Sequence, residues 1–226
     1  MCGRYALYGP TSRLREQFDL DPGFDFAPRY NIAPGTEVLV VESAVPGGRS
    51  ARLLRWGLIP SWAQDASIGA RLINARGETV SEKPAFRAAF RRARCIVPAN
   101  GFYEWTAGCA GGRTIRQPHF IRPRAAGDLF AFAGLCERWR SPTGEEISTC
   151  CIITTSANAL VLPIHQRMPV ILGATEHAAW LDPDNRDIEG LRTLLRPAVA
   201  HGMLAHPVCR AVNSSRVESA ALIEAV

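Results

Sequence analysis

The chain alternates short apolar runs with Gly, Pro and Asn punctuation, and sustained amphipathic periods are few. RYALY, TEVLVVES, ARLLRWGLI, RCIVPANGFYEW, HFIRP, LFAFAGLCERW, ISTCCIITT, MPVIL and AHPVCRAV are all such runs. Many short runs bounded by turn residues predict an antiparallel sheet that closes into a barrel or sandwich. Helical spacing is confined to four places. In TSRLREQFDL, Leu14 and Phe18 share one face, with Thr11 or Ser12 placed to cap the N-terminus. In KPAFRAAFRRAR, Phe86 and Phe90 face inward while Arg87, Arg91 and Arg94 face out. TEHAAWL and DIEGLRTLL read as two short late helices. The expectation is an α+β fold that is mostly antiparallel β, with a barrel-like sheet and a few peripheral helices. It occupies residues 1–226 as a single domain.

Composition narrows the function classes. Hydrophobic residues at 47% and charged residues at 21% are ordinary for a globular chain. No apolar stretch reaches the ~18 residues of a membrane span, and no basic-then-apolar leader opens the chain. A cytoplasmic, membrane-free protein is expected. The seven cysteines lack both an even count and any C-x-x-C spacing, so they predict neither a disulfide framework nor a zinc site. They read as core filler in a reducing compartment. A net charge of +5 favours an anionic partner. The basic residues are almost all arginine, the better fork for phosphate oxygens, and Lys83 is the one lysine. The arginine face around residue 90 reads first as solvated surface and second as a phosphate track.

Candidate chemistry starts at the second residue. A start methionine before a small residue is normally trimmed, which leaves Cys2 with a thiol and a free α-amine on one Cα. Such an amine titrates near ~8 and a thiol near ~8.5, so both hold a reactive fraction at neutral pH. Four polar stretches lie beside apolar strands: RYNIAPGT with Asn31, RLINARGE with Asn74 and Arg76, PANGFYEW with Glu104, and IHQRMPVIL with His165. Each alone is a weak signal, since a histidine before a strand is usually structural.

Together with MCGRY the pattern is specific. MCGRY, RYNIAPGT, RWGLIPSW, LINARGET, RCIVPANGFYEW, HQRMPVIL and HPVCRAVN stand in order from residue 2 to about residue 213. In these blocks the chain resembles the SRAP family (SOS-response-associated peptidase-like proteins), which sense abasic sites in single-stranded DNA. The resemblance implies that Cys2 captures the ring-opened abasic aldehyde as an imine, and that its thiol closes a thiazolidine. It implies a general acid/base role for Glu104, whose aromatic neighbours would raise its pKa by excluding water. It places His165 near the sugar hydroxyl and in crosslink reversal, and Asn74 on the Cys2 end or the adduct. Arg4 and Arg76 would grip phosphates, and Trp62 would offer stacking surface, whereas Trp56 reads as core. The chain departs from the family at Ala63, where a second aromatic is common, at Cys209, where serine is common, and in its tail.

The leading expectation is a self-crosslinking, lyase-like repair factor, with autoproteolysis one route to loss of Met1. The partner is abasic single-stranded DNA, the protein acts as a monomer, and no metal or organic cofactor is needed. An N-terminal-nucleophile cysteine peptidase or amidohydrolase is the first alternative. A non-covalent single-stranded nucleic-acid-binding module is the second.

Overall fold

The computed structural model describes residues 2–21, 25–44, 47–110 and 113–226, with side chains except at 109, 110 and 113–115. The strands are β1 (Tyr5–Leu7), β2 (Arg29–Ile32), β3 (Glu37–Ser43), β4 (Arg49–Trp56), β5 (Asn74–Arg76) and β6 (Arg94–Ala99). They continue with β7 (Gly101–Ala110), β8 (Arg113–Pro123), β9 (Phe130–Arg140), β10 (Glu146–Ser156), β11 (Arg167–Pro169) and β12 (Met203–Pro207). The α-helices are short: α1 (Thr11–Phe18), α2 (Arg87–Arg92), α3 (His177–Leu181) and α4 (Ile188–Thr193).

One sheet has the order β12-β8-β7-β1-β2, antiparallel throughout. In the other, β10-β4-β3-β6-β9 returns to β10 and closes a five-strand barrel. Closure removes exposed edges, which suits a chain built from many short apolar runs. Only β10–β4 and β10–β5 are parallel pairs among the described strands. The fold is therefore α+β, mostly antiparallel and barrel-like, as the apolar pattern predicts.

The two sheets pack through aromatic rings. Tyr5 of β1 stands edge-on to Trp56 of β4 at 5.4 Å and to Phe132 of β9 at 6.2 Å. Period-2 alternation splits β7 between two cores. Phe102 joins this main core, while Tyr103 joins a second, smaller core on the outer face with Ala6, Phe120, Val208, Val212 and Leu222. The C-terminal segment thus backs the strand pair β1–β7 from outside.

Helix and strand positions follow the sequence pattern closely, with corrections at their ends. Leu14 and Phe18 are buried on α1 as expected, but the cap residue is Pro10, and the Thr11 hydroxyl donates to Asp25 instead. Phe86 and Phe90 are buried and Arg87 and Arg91 are exposed. Arg94 is the exception, being only 4% exposed. The helix ends at Arg92, so residue 94 opens β6 and no longer follows helical period. Its guanidinium donates to the carbonyls of Phe90, Trp180 and Asp182 and lies over the Trp180 ring. That buried cation is held by carbonyl dipoles and a π face, with the Asp182 carboxylate adding a longer-range attraction. Cys2, Cys95, Cys136, Cys150 and Cys151 are buried free thiols and Cys209 is half-buried, whereas the Cys109 side chain lies outside the described residues.

Gly101 marks a close approach of β7 to β8. A Cβ there would stand 2.4 Å from the Phe120 ring and 2.6 Å from the Ile121 carbonyl oxygen. Gly101→Ala is expected to lower unfolding free energy by about 1–3 kcal/mol, the usual cost of overpacking, read as a lower urea midpoint at unchanged slope.

Candidate active site

Strand pairing carries the N-terminus to the carboxylate. Tyr5 pairs with Phe102 and Ala6 with Gly101, and the Tyr103 N–H donates to the Arg4 carbonyl. Continued outward, this antiparallel register runs residues 2–3 along Glu104. Cys2 is fully buried. Its carbonyl accepts from Asn74 Nδ2 at 2.8 Å, which ties the terminus to β5. The Asn74 Oδ1 atom is buried with no hydrogen-bond partner. One amide therefore anchors the Cys2 carbonyl and leaves an acceptor open beside it.

β5 and the β11 region reach the same place because both pair with the end of β10. Asn74 is in register with Ile152 and Arg76 with Thr154, while Thr154 pairs with Pro169 and Ser156 with Arg167. His165, just before β11, places Nδ1 3.9 Å from Glu104 Oε1. This is an electrostatic contact, beyond hydrogen-bond reach. The Arg167 N–H donates to His165 Nδ1 at 3.0 Å, and the Arg167 carbonyl lies 3.1 Å from the same nitrogen. A neutral ring accepts from the N–H with its proton on Nε2, and a protonated ring donates to the carbonyl. The imidazole thus keeps a backbone partner in either protonation state, which suits a proton-transfer group.

Glu104 is 3% exposed. Burial pushes its carboxyl pKa above the ordinary 4.5, with the His165 charge pulling the other way. The desolvation does not come from the flanking aromatics. Tyr103 and Trp105 sit on the opposite face of β7, where the Tyr103 hydroxyl donates to the Tyr30 carbonyl and Trp105 Nε1 to Asn213. Adjacent residues on a strand face opposite ways, so the sequence neighbours of Glu104 are not its spatial ones. The Cys2 thiol is raised well above its ordinary value, first by burial and then by the Glu104 carboxylate, and the Arg4 N–H opposes this. Both causes disfavour its thiolate.

The remaining expected residues are divided between groove and interior. Trp62, Asn74 and Arg76 line one open groove of about 420 Å³, together with Lys83 and Phe86. Trp62 is 59% exposed, with Nε1 3.5 Å from the Pro84 carbonyl. Arg76 is also exposed. Arg4 is turned toward the C-terminal segment. Its Nη1 donates to Asn31 Oδ1 at 2.7 Å and to the Val212 carbonyl at 3.1 Å. Trp56 is core, donating through Nε1 to the Ile73 carbonyl. Two residues that the sequence reading passed over belong to this region. Arg167 forms a two-pronged ion pair with Glu78 and also donates to the Thr154 carbonyl at 2.7 Å. The signal available was a charged residue two positions after a candidate in each case, Glu78 after Arg76 and Arg167 after His165.

The sequence profile of the SOS response associated peptidase (SRAP) family matches residues 1–215. The chain belongs to the SRAP family. The match stops where the tail departs from the family pattern. Among relatives, the chain is 44% identical to abasic site processing protein YoqW of Bacillus subtilis (strain 168), covering 99% of both chains. It is 30% identical to abasic site processing protein HMCES of Rattus norvegicus, over 96% of this chain and 73% of that one. A crystal structure of a protein from Bacteroides thetaiotaomicron superposes over the full length of both chains with a TM-score of 0.85 at 26% identity. Among the described residues, no SRAP helix here is long and apolar enough to cross a membrane.

The raised Glu104 carboxyl has a consequence for stability. The folded state holds this proton more tightly than the unfolded chain does, so stability falls as pH rises from about 4.5 toward the folded value. Glu104→Gln removes that penalty. The variant is expected to gain in denaturant midpoint over wild type at pH 8, and to gain less or nothing at pH 4.

Proposed function

We propose that this SRAP protein captures abasic sites in single-stranded DNA as a thiazolidine crosslink through Cys2, once Met1 is removed. The observation that carries the reading is the Asn74–Cys2 hydrogen bond, which pins the one 1,2-aminothiol of the trimmed chain beside a buried carboxyl and an imidazole. The names of its relatives support abasic-site processing as the activity.

The buried thiol bears on the order of events. A thiol held neutral is a poor leading nucleophile, so the α-amine attacks first. Opening of the abasic sugar exposes its aldehyde. The amine adds to that carbon, water leaves, and an imine forms. The thiol sulfur then adds to the imine carbon, its proton passes to the nitrogen, and a five-membered ring closes with no further reactant. Ring closure is intramolecular and gains from the fixed geometry at Cys2. Glu104, protonated more readily than an exposed carboxyl, supplies the proton for loss of water and takes it back. His165 moves protons at the sugar oxygen, with the Arg167 backbone serving both ring states. Asn74 Oδ1 accepts from the α-amine or the adduct N–H. Arg76 contacts a phosphate, and Trp62 offers its exposed face to a base. Arg4 serves the site chiefly by fixing β1 through Asn31.

A hydrolase that attacks with the Cys2 thiolate uses the same residues, but burial opposes the ionisation it needs. A purely non-covalent DNA module leaves the Cys2–Asn74–Glu104 arrangement without a role.

The test is trimmed protein incubated with a uracil-containing single-stranded oligonucleotide treated with uracil glycosylase, read on a denaturing gel and by intact mass. Wild type is expected to shift to a one-to-one adduct at the mass of protein plus DNA less water. Cys2→Ala should give no heat-stable adduct, and Glu104→Gln should slow capture by roughly 10²-fold, the low end for a proton-transfer group. An unshifted wild-type band, or equal capture by Cys2→Ala, overturns the proposal.

A further inference from the structure

An acidic side chain stands next in the chain to residues that line the open groove. Glu78 lies two residues beyond Arg76, and its carboxylate pairs with both Nη atoms of Arg167, with Oε2 2.9 Å from Nη2. The pair is lopsided in exposure: the Glu78 side chain is 51% exposed and that of Arg167 only 20%. Arg167 also has an independent anchor on its buried side, the Thr154 carbonyl at 2.7 Å. If the carboxylate swings into solvent, the guanidinium therefore stays in place. The Arg167 hydrogen bonds hold the Glu78 carboxyl below its ordinary 4.5, so it is ionised throughout the physiological range.

A carboxylate presents two oxygens to a guanidinium fork in the geometry that a phosphodiester presents. We propose that Glu78 is an internal anion that masks Arg167, and that a backbone phosphate of single-stranded DNA must displace it. This rests on the nucleic-acid reading above. Masking makes Glu78 a specificity residue, because it lowers affinity for intact strands that offer phosphates but no aldehyde. The chain then dwells on DNA mainly where Cys2 can react. Arg76 differs in being an exposed cation of the open groove that feels the Glu78 carboxylate only through its longer-range field, with no hydrogen bond to it.

The mask has an ionic-strength signature. When a phosphate replaces Glu78 on Arg167, one carboxylate is released as one phosphate is neutralised, so net counterion release is near zero. Without the carboxylate, each phosphate contact adds about 0.7 to the slope of log K against log salt for a single strand. The probe is a fluorescent, undamaged single-stranded oligonucleotide, titrated with the 226-residue chain by anisotropy from 50 to 300 mM NaCl (about the range where phosphate contacts are resolved). Glu78→Gln is expected to bind about two- to five-fold tighter at the low-salt end, the worth of an exposed ion pair, and to steepen the slope by about 0.7. Arg167→Ala in the Glu78→Gln background should abolish both gains.

Affinity and slope unchanged in Glu78→Gln, or affinity reduced, overturn the mask and leave the pair a structural clamp. A gain that survives removal of Arg167 overturns it too, because the carboxylate then acts only through the general field. Wild-type protein showing no salt-dependent binding of any single strand, abasic or intact, is the separate result that removes the nucleic-acid reading beneath it.

Discussion

The site depends on holding a chain terminus still. The first residues of a domain ordinarily fray, because nothing offsets the entropy of ordering them. Here β1 sits between β2 and β7, and the Tyr5 ring is wedged between Trp56 and Phe132 of the barrel. The Asn74 amide then grips the Cys2 carbonyl just ahead of that strand. A reactive group placed on the N-terminus inherits the rigidity of a central strand. Pre-organisation of that kind holds the Cys2 end in a fixed position against β5.

The sheet formed by β1 and β7 also works as a partition. Tyr5 and Phe102 face the main core, while Ala6, Tyr103 and Trp105 face the outer one. The C-terminal segment seals that outer face. Asn31 donates to the carbonyls of Ser214 and Val217 and accepts from Arg4, so the first strand and the last segment share one buried amide. Both ends of the polypeptide thereby stabilise the same strand pair. Chemistry stays on one side and scaffolding on the other, although the residues alternate in sequence.

Charge in the cleft is balanced between neighbours. Burial raises the cost of ionising both the Glu104 carboxyl and the Cys2 thiol, and the carboxylate adds to the cost at the thiol. The His165 ring eases that burden on the carboxyl, and its own two states are both served by Arg167. At the rim the sign alternates again, with Arg76 in the groove and Glu78 against Arg167. The interior arrangement disfavours a thiolate at Cys2, and at the rim the Glu78 carboxylate is paired by Arg167.

What the amino-acid sequence determined alone was local: the short apolar runs as strands, the faces of α1 and α2, and the ordered blocks that mark the SRAP family and carry Cys2, Asn74, Glu104 and His165. These are legible because hydrophobic period and chemically distinctive residues are read within a few positions of one another. The surroundings of those residues were not legible, because pairing partners come from distant segments. Trp105 flanks Glu104 in sequence yet reaches Asn213, Arg94 leaves its helix to be buried against Trp180, and Arg4 turns to Asn31 and Val212. The Glu78–Arg167 pair joins residues 89 apart. Only the tertiary structure decides such contacts, since the register of one strand on another sets which side chains share a space, and no stretch of sequence contains that register.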